Sequence, residues 1–300
     1  MHQPDLFVQS GEVRLAVYTW GQKPTRENPR QVLVLAHGFP DRALFWEKVA
    51  TALQEDFYVV AFDMRGCANS THIRGCRHYH FGPLLQDLYA VIDAVSPTQK
   101  VHLVGHDWGG IYGWDAITDP EGIKRIASFL TLSPGLDHVG FYLRRRFFRP
   151  TPRNLWQGVG QLMRNSLMTF FTLPLLPELL FVSGLGTLMF RVLVGHYEPR
   201  ITFQKNEGME GDAIRYLGIY RANLLQRALF PKQAKSPVPV HVVMAVNDPF
   251  LPPAVFEVSP QWTSLYSEST VDASHWAPLS RPQELAEAVR RFVRERRHHA

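Results

Sequence analysis

The sequence predicts an α/β fold: a mostly parallel central sheet with helices on both faces, interrupted by a long helical insertion. Three observations predict it. Short apolar runs that fit strands buried on both faces alternate with helical patterns through the first 130 or so residues. That alternation stops near Pro134 and resumes near Pro231. Polar residues suited to chemistry (His37, Asp63, Asp107, Asp248 and His275) recur at or just beyond the C-terminal ends of the predicted strands, where open parallel sheets bind their ligands. The expected division is a core of residues 1–133 and 232–300 and a helical cap of residues 134–231. With 300 residues, 45% of them apolar and 20% charged, the chain has ample material for a large buried core.

In chain order, LFVQS-GE-VRLAVYTWG gives two β-rich runs around Gly11, a hairpin pattern. QVLVLAHGF (31–39) is a continuous apolar run ending in His-Gly, and FYVVAFDMRG (57–66) is a second with polar residues at its end. Between them LFWEKVATAL (44–53) has helical spacing. PLLQDLYAVIDAV (83–95) is an amphipathic helix opened by a proline. Strands follow at 101–105 and 126–134, separated by a helix beyond Gly109. After the insertion come a strand at 239–248, a shorter one at 264–268 and a closing helix at 282–297.

The net charge of +5 is uneven, concentrated in YLRRRFFRP (142–150) and AVRRFVRERRHH (288–299). No nucleic-acid module accompanies it, so no nucleic-acid partner is expected. The most apolar stretch, Leu167–Val194, is broken by Pro174, Pro177, Glu178 and Arg191. A spanning helix needs about 20 predominantly apolar residues, so this stretch does not predict one. Basic and aromatic residues beside an apolar cap leave peripheral membrane contact through the cap open. Two cysteines, Cys67 and Cys76, make no disulfide framework, and the polar N-terminus has no signal-peptide apolar region. A reduced, cytoplasmic setting is the expectation.

The most informative stretch is VHLVGHDWGGIYGWDAI (101–117). Asp107 stands between a predicted strand and a glycine-rich helix start, either as an ordinary helix N-cap or as a nucleophile on a sharp corner. As a pentapeptide, Gly-His-Asp-Trp-Gly favours the cap. Its context favours the nucleophile. His37-Gly38-Phe39-Pro40 follows an earlier buried strand, Asp248 follows a late one, and His275 follows the last. Nucleophile, acid and histidine in that order is the chain order of one known triad topology.

Together, His-Gly-Phe-Pro, DMRGCANS (63–70), Gly-His-Asp-Trp-Gly-Gly, Asn-Asp-Pro and Ser-His-Trp resemble the α/β-hydrolase fold family, from about Leu15 to Val293. More narrowly they resemble its epoxide hydrolase branch, with aspartate as nucleophile. The chain is also similar to the hydrolase half of proteins that fuse such a domain to a short-chain dehydrogenase. It is therefore expected to be a single-domain relative or part of a longer chain.

The resemblance implies that Asp107 attacks an epoxide carbon and forms an alkyl–enzyme ester. His275, oriented by Asp248, then activates water to hydrolyse it, and the backbone N–H groups of Phe39 and Trp108 hold the oxyanion. His37, Gly38 and Pro40 complete the motif. It implies no cofactor and no metal. The expected partners are a small lipophilic substrate and water, in a pocket walled by Trp108, Met168 and Tyr216. The branch uses two cap tyrosines as acids. Tyr220, in YLGIYRANL, takes one role. The other place, in NSLMTFFTLP, holds Met168, which cannot donate a hydrogen bond. One tyrosine then suffices, or Tyr216, Tyr197 or Tyr142 substitutes. The alternatives are a haloalkane dehalogenase-like hydrolase, against which Phe39 speaks because an Asn is usual there, and a catalytically weak binder of lipophilic ligands. The cluster Cys67, His72, Cys76, His78 and His80 matches no zinc spacing.

Overall fold

The computed structural model describes residues 3–297, with side chains through Glu295. The first two residues and the end of the basic run 288–299 lie outside the described residues. The chain opens with a hairpin, β1 (Leu6–Ser10) and β2 (Val13–Trp20). Its turn is carried by Gly11, whose φ of +56° suits a residue without Cβ. Then come β3 (Val32–Ala36), β4 (Tyr58–Phe62), β5 (Val101–Gly105) and β6 (Ile126–Thr131). After the insertion come β7 (Val240–Ala245) and β8 (Tyr266–Val271).

These eight strands form one sheet in the order β1-β2-β4-β3-β5-β6-β7-β8. The β1–β2 and β2–β4 pairs are antiparallel and every other pair is parallel. Every residue of β3, β4, β5 and β7 is buried. Their continuous apolar runs follow from that, because helices cover both faces. The group α1 (Glu47–Leu53), α11 (Ala277–Ser280) and α12 (Pro282–Arg297) packs together, and so does α2 (Phe81–Val95) with α3 (Trp108–Ala116) and α4 (Pro120–Arg125).

Several boundaries differ from the sequence expectation: β6 stops at Thr131 rather than 134, β7 spans Val240–Ala245 rather than 239–248, and α1 starts at Glu47 rather than 44. The last strand runs to Val271 rather than ending at 268, because its pairing with β7 continues to Ala245↔Val271. α2 starts at Phe81, two residues ahead of Pro83. Proline is tolerated there because first-turn N–H groups have no intrahelical partner. α3 starts at Trp108 rather than beyond Gly109.

Between β6 and β7 the described residues form six helices and no strand. They are α5 (Leu136–Phe148), α6 (Pro152–Arg164), α7 (Ser166–Phe170), α8 (Leu176–Val182), α9 (Leu185–Tyr197) and α10 (Met209–Leu229). α10 is pinned to the core at both ends. Near its start Asp212 accepts from Arg42 at 2.8 Å and from the Ala68 N–H at 3.2 Å. Near its end Arg227 pairs with Asp115 and Asp137. The sheet supplies the site itself. β3 lies between β4 and β5, so the chain leaves β3 to one side and returns on the other. That reversal is the switch point at whose strand ends open α/β sheets bind their ligands.

Candidate active site

The corner after β5 answers the question raised by GHDWG. Asp107 sits at φ +49°, ψ −125°, a backbone conformation that non-glycine residues rarely adopt. Although it stands at the N-cap position of α3, its side chain makes no capping hydrogen bond. The carboxylate points across to the loop after β3, where the Phe39 N–H donates to Oδ2 at 2.6 Å. The corner folds this tightly because its neighbours lack side chains. A Cβ on Gly38 would strike the Asp107 carboxylate, and one on Gly109 would strike the Ala36 carbonyl. Burial pushes the Asp107 carboxyl up, opposed by the charge of His275 and by the N–H groups of Phe39 and Trp108. The two N–H groups expected to hold an oxyanion therefore both reach this carboxylate.

His275 and Asp248 arrive on the loops after β8 and β7. His275 Nδ1 donates to Asp248 Oδ2 at 2.8 Å. The other oxygen of Asp248 accepts from the N–H groups of Phe250 and Leu251 at 2.7 and 3.0 Å. Burial would raise the Asp248 carboxyl, but these bonds and the His275 charge bring it below its ordinary value. Burial likewise works against the imidazolium of His275. Asp248, Asp107 and Asp41 together outweigh it and raise the histidine to about 9. All three triad residues are buried.

From the cap, Tyr220 on α10 reaches over this group. Its ring packs edge-on against Trp108 and Phe39, at centroid distances of 4.9 and 5.2 Å. Its hydroxyl is pushed far up by burial and by the charge of Asp107, against a hydrogen bond from the Trp108 side chain. The Tyr220 hydroxyl is thus held neutral, within the field of the Asp107 charge. Phe171 closes the wall against Phe39 and Tyr220, 5.2 Å from each.

The other tyrosines stand elsewhere. Tyr216 is buried, and the groups acting on its hydroxyl are Cys67, Tyr79 and Asp63 rather than Asp107. Tyr142 packs with Val139 and Val255 under Arg146. Tyr197 is exposed at the end of α9. Met168 is half-buried on α7 among apolar residues packed on the core. His37 holds the loop. Its Nε2 accepts from the Met64 N–H at 3.1 Å, which leaves Nδ1 to donate to the Gly38 carbonyl at 2.9 Å. Burial keeps this ring neutral, lowering it to about 4. Pro40 follows Phe39 across a cis peptide bond.

Asp41 and Glu198 were not singled out from the sequence, and His106 reads there as a supporting or structural histidine. Asp41, directly after Pro40, is raised to about 7 by burial and by the Asp107 charge, with His275 pulling the other way. The acid following His-Gly-Phe-Pro was the available signal. His106 donates from Nε2 to the His275 carbonyl at 2.8 Å and stacks on Phe45. Burial holds it neutral, at about 3. Glu198, fully buried at the end of α9, accepts from the N–H and the hydroxyl of Ser274 at 2.9 and 3.1 Å. It ties the cap to the residue preceding His275, and no local sequence signal pointed to it.

Among the described residues, one cluster has metal-ligand chemistry: His37, Asp63 and Cys67, with donor atoms within 4.8 Å of one another. Both His37 nitrogens are engaged, and Asp63 accepts from Tyr18, the Ala43 N–H and the Asn69 N–H. These bonds brace the loops after β3 and β4, and a cation would have to break them.

The alpha/beta hydrolase fold family matches residues 31–282. The proteins named "Probable oxidoreductase EphD" of Mycobacterium tuberculosis and Mycobacterium bovis are 31% identical over 288 residues. That match takes in 94% of this chain and 48% of theirs, so the chain spans about half the length of those relatives. Human "Epoxide hydrolase 4" is 23% identical over 288 residues, covering 90% of this chain and 74% of its own. Among solved structures, a Bacillus megaterium epoxide hydrolase in complex with an inhibitor superposes with a TM-score of 0.77 at 22% identity, over 96% of this chain and all of the other. With its strand order, its strained corner and the match over residues 31–282, the chain belongs to the alpha/beta hydrolase fold family.

Proposed function

We propose that the protein is an epoxide hydrolase that opens a lipophilic epoxide to a vicinal diol through an ester on Asp107. The observation that carries this reading is a carboxylate, rather than a hydroxyl, held on the strained corner beside an Asp-paired histidine. A carboxylate can displace at a saturated carbon and leave an ester that water can cleave. A serine ether would be a dead end. Relatives named as epoxide hydrolases agree with it.

In the first step an Asp107 oxygen attacks an epoxide carbon, and the ring C–O bond at that carbon breaks with its electron pair going to the epoxide oxygen. The developing alkoxide takes the proton of Tyr220, the hydroxyl within the field of the nucleophile. In the second step His275 takes a proton from water, and the water oxygen adds to the ester carbonyl. The N–H groups of Phe39 and Trp108 receive the negative oxygen. As this intermediate collapses the ester C–O bond breaks, the departing diol oxygen takes the proton from the His275 imidazolium, and the carboxyl proton returns to the Tyr220 oxygen, which leaves Asp107 as a carboxylate again. The order of steps has an electrostatic logic. While Asp107 is charged it helps hold the proton on His275. Forming the ester removes that charge and makes the imidazole available as a base when the base is needed. The apolar wall of Phe39, Phe171 and Trp108 suits a lipophilic substrate and excludes bulk water.

Single-turnover reaction of a lipophilic epoxide in ¹⁸O-water tests the reading, with a bromoalkane run in parallel. Label should enter Asp107, and the first diol should carry none. Label in the first diol alone would mean direct attack by water. Halide release without diol would instead make the protein a dehalogenase.

A further inference from the structure

The cap turns apolar side chains to solvent that nothing else among the described residues covers. On α6, Leu155, Trp156, Val159, Leu162 and Met163 are all exposed. Their spacing at i, i+1, i+4, i+7 and i+8 makes them one stripe of the helix. Gly158 and Gln161 form its buried side. On α8 and α9, Leu179, Val182, Leu185, Leu188 and Val192 are exposed, while Phe181 and Phe190 turn inward against Phe39. Trp156 is 80% exposed and Val182 73%. Side chains of this size on a soluble surface ordinarily mark a contact with something else.

The charge around this surface is predominantly of one sign, the one carboxylate of α8, Glu178, being paired with Arg221. Residues 138–177 contain six arginines and no carboxylate, and residues 179–197 add Arg191, again with no carboxylate. Arg146 is used internally, paired with Glu257. Arg144, Arg145, Arg149, Arg153 and Arg164 are exposed. An apolar stripe flanked by arginine is the composition of a helix that lies in a membrane interface, with its side chains in the acyl boundary and its cations on anionic headgroups. Crossing is another matter. No single helix among the described residues is long and apolar enough to span a bilayer. α8 and α9 reach such a length only together, and they are bent by 83°.

We propose that the outer face of the cap, α6 with the α8–α9 pair, is a docking surface for an anionic lipid bilayer. The charge complementarity selects this occupant. A second copy of the same arginine-rich face would meet like charge with like charge.

The protein carries its own reporter. Of seven tryptophans, Trp156 is exposed and the other six are buried. Vesicles of phosphatidylcholine and phosphatidylglycerol in equal parts should float the protein, shift its emission to the blue, and quench it when the lipid chains are brominated. Trp156→Phe should float as well but lose the quenching. Leu162→Glu with Val182→Glu, both at exposed positions, should cut the bound fraction about tenfold, and Arg149→Glu with Arg153→Glu should abolish the preference for the anionic lipid. Circular dichroism checks that the variants keep their fold. Protein that stays in the soluble fraction with Trp156 unquenched overturns the proposal. So does equal binding by the glutamate variants, or a dimer in sedimentation that the glutamate variants dissociate while vesicles leave Trp156 unchanged.

Discussion

At Asp107 one residue serves two electrostatic states. In the proposed mechanism the charged carboxylate attacks the epoxide and stabilises the imidazolium of His275, and the ester does neither. Removing a nearby negative charge favours the neutral imidazole. His275 should therefore titrate lower in Asp107→Asn than its value of about 9 in the parent, by about one pH unit. An NMR titration of the ring protons measures this, and an unchanged titration would remove Asp107 from the account. By the same sign, ester hydrolysis should accelerate with rising pH through a midpoint below about 9. Tyr220 is the tyrosine on which the charge of Asp107 acts. Tyr220→Phe should slow ester formation by about 10²–10⁴-fold, the usual worth of general acid assistance, and leave hydrolysis of the formed ester intact. Rapid-quench single turnover separates the two steps; near-normal ester formation would send the search for the acid elsewhere.

Among the elements, the loops after the strands carry the chemistry and the cap helices hold them. α9 ends in Glu198, whose carboxylate grips Ser274 next to His275. Arg200 ties the other oxygen of the same carboxylate at 3.3 Å and also reaches Asp272. The cap thereby braces the residue before His275, the base of the proposed mechanism. Glu198→Ala should slow ester hydrolysis by about 10- to 100-fold, because small displacements of a reacting group are costly, with little change in KM. Trapped ester should rise on the intact protein. Glu198→Gln keeps an acceptor for the Ser274 N–H and should restore much of the rate. An alanine variant with no extra ester would show that the contact is structural alone.

Across the whole molecule, burial is uneven. The central strands are enclosed on both faces, whereas α6, α8 and α9 expose much of their apolar surface. Local opening follows the density of buried contacts. Hydrogen exchange should therefore be slowest in β3, β5 and β6 and faster by orders of magnitude in α6 and the α8–α9 pair. Protection of α6 equal to that of β5 would mean that its outer face is covered in solution.

Much of this was legible in the residues alone. The continuous apolar runs of β3, β4, β5 and β7 announce strands buried on both faces, and the break between Pro134 and Pro231 announces the helical insertion. Small residues around Asp107, together with His275 and Asp248 later in the chain, mark the corner as something other than a helix cap. These features are local in pattern, and the chemistry of each residue travels with it. Contacts between distant segments are a different matter. That Glu198 meets Ser274, that Asp41 and Tyr220 lie in the field of Asp107, and that Tyr216 lies instead in the field of Cys67 depend on how the cap settles on the strand ends. Tyr216 and Tyr220 stand one helical turn apart on α10. Periodicity puts both hydroxyls on one side of that helix. Only the packing of α10 across the loops after β3 and β5 decides which of them stands in the field of the carboxylate.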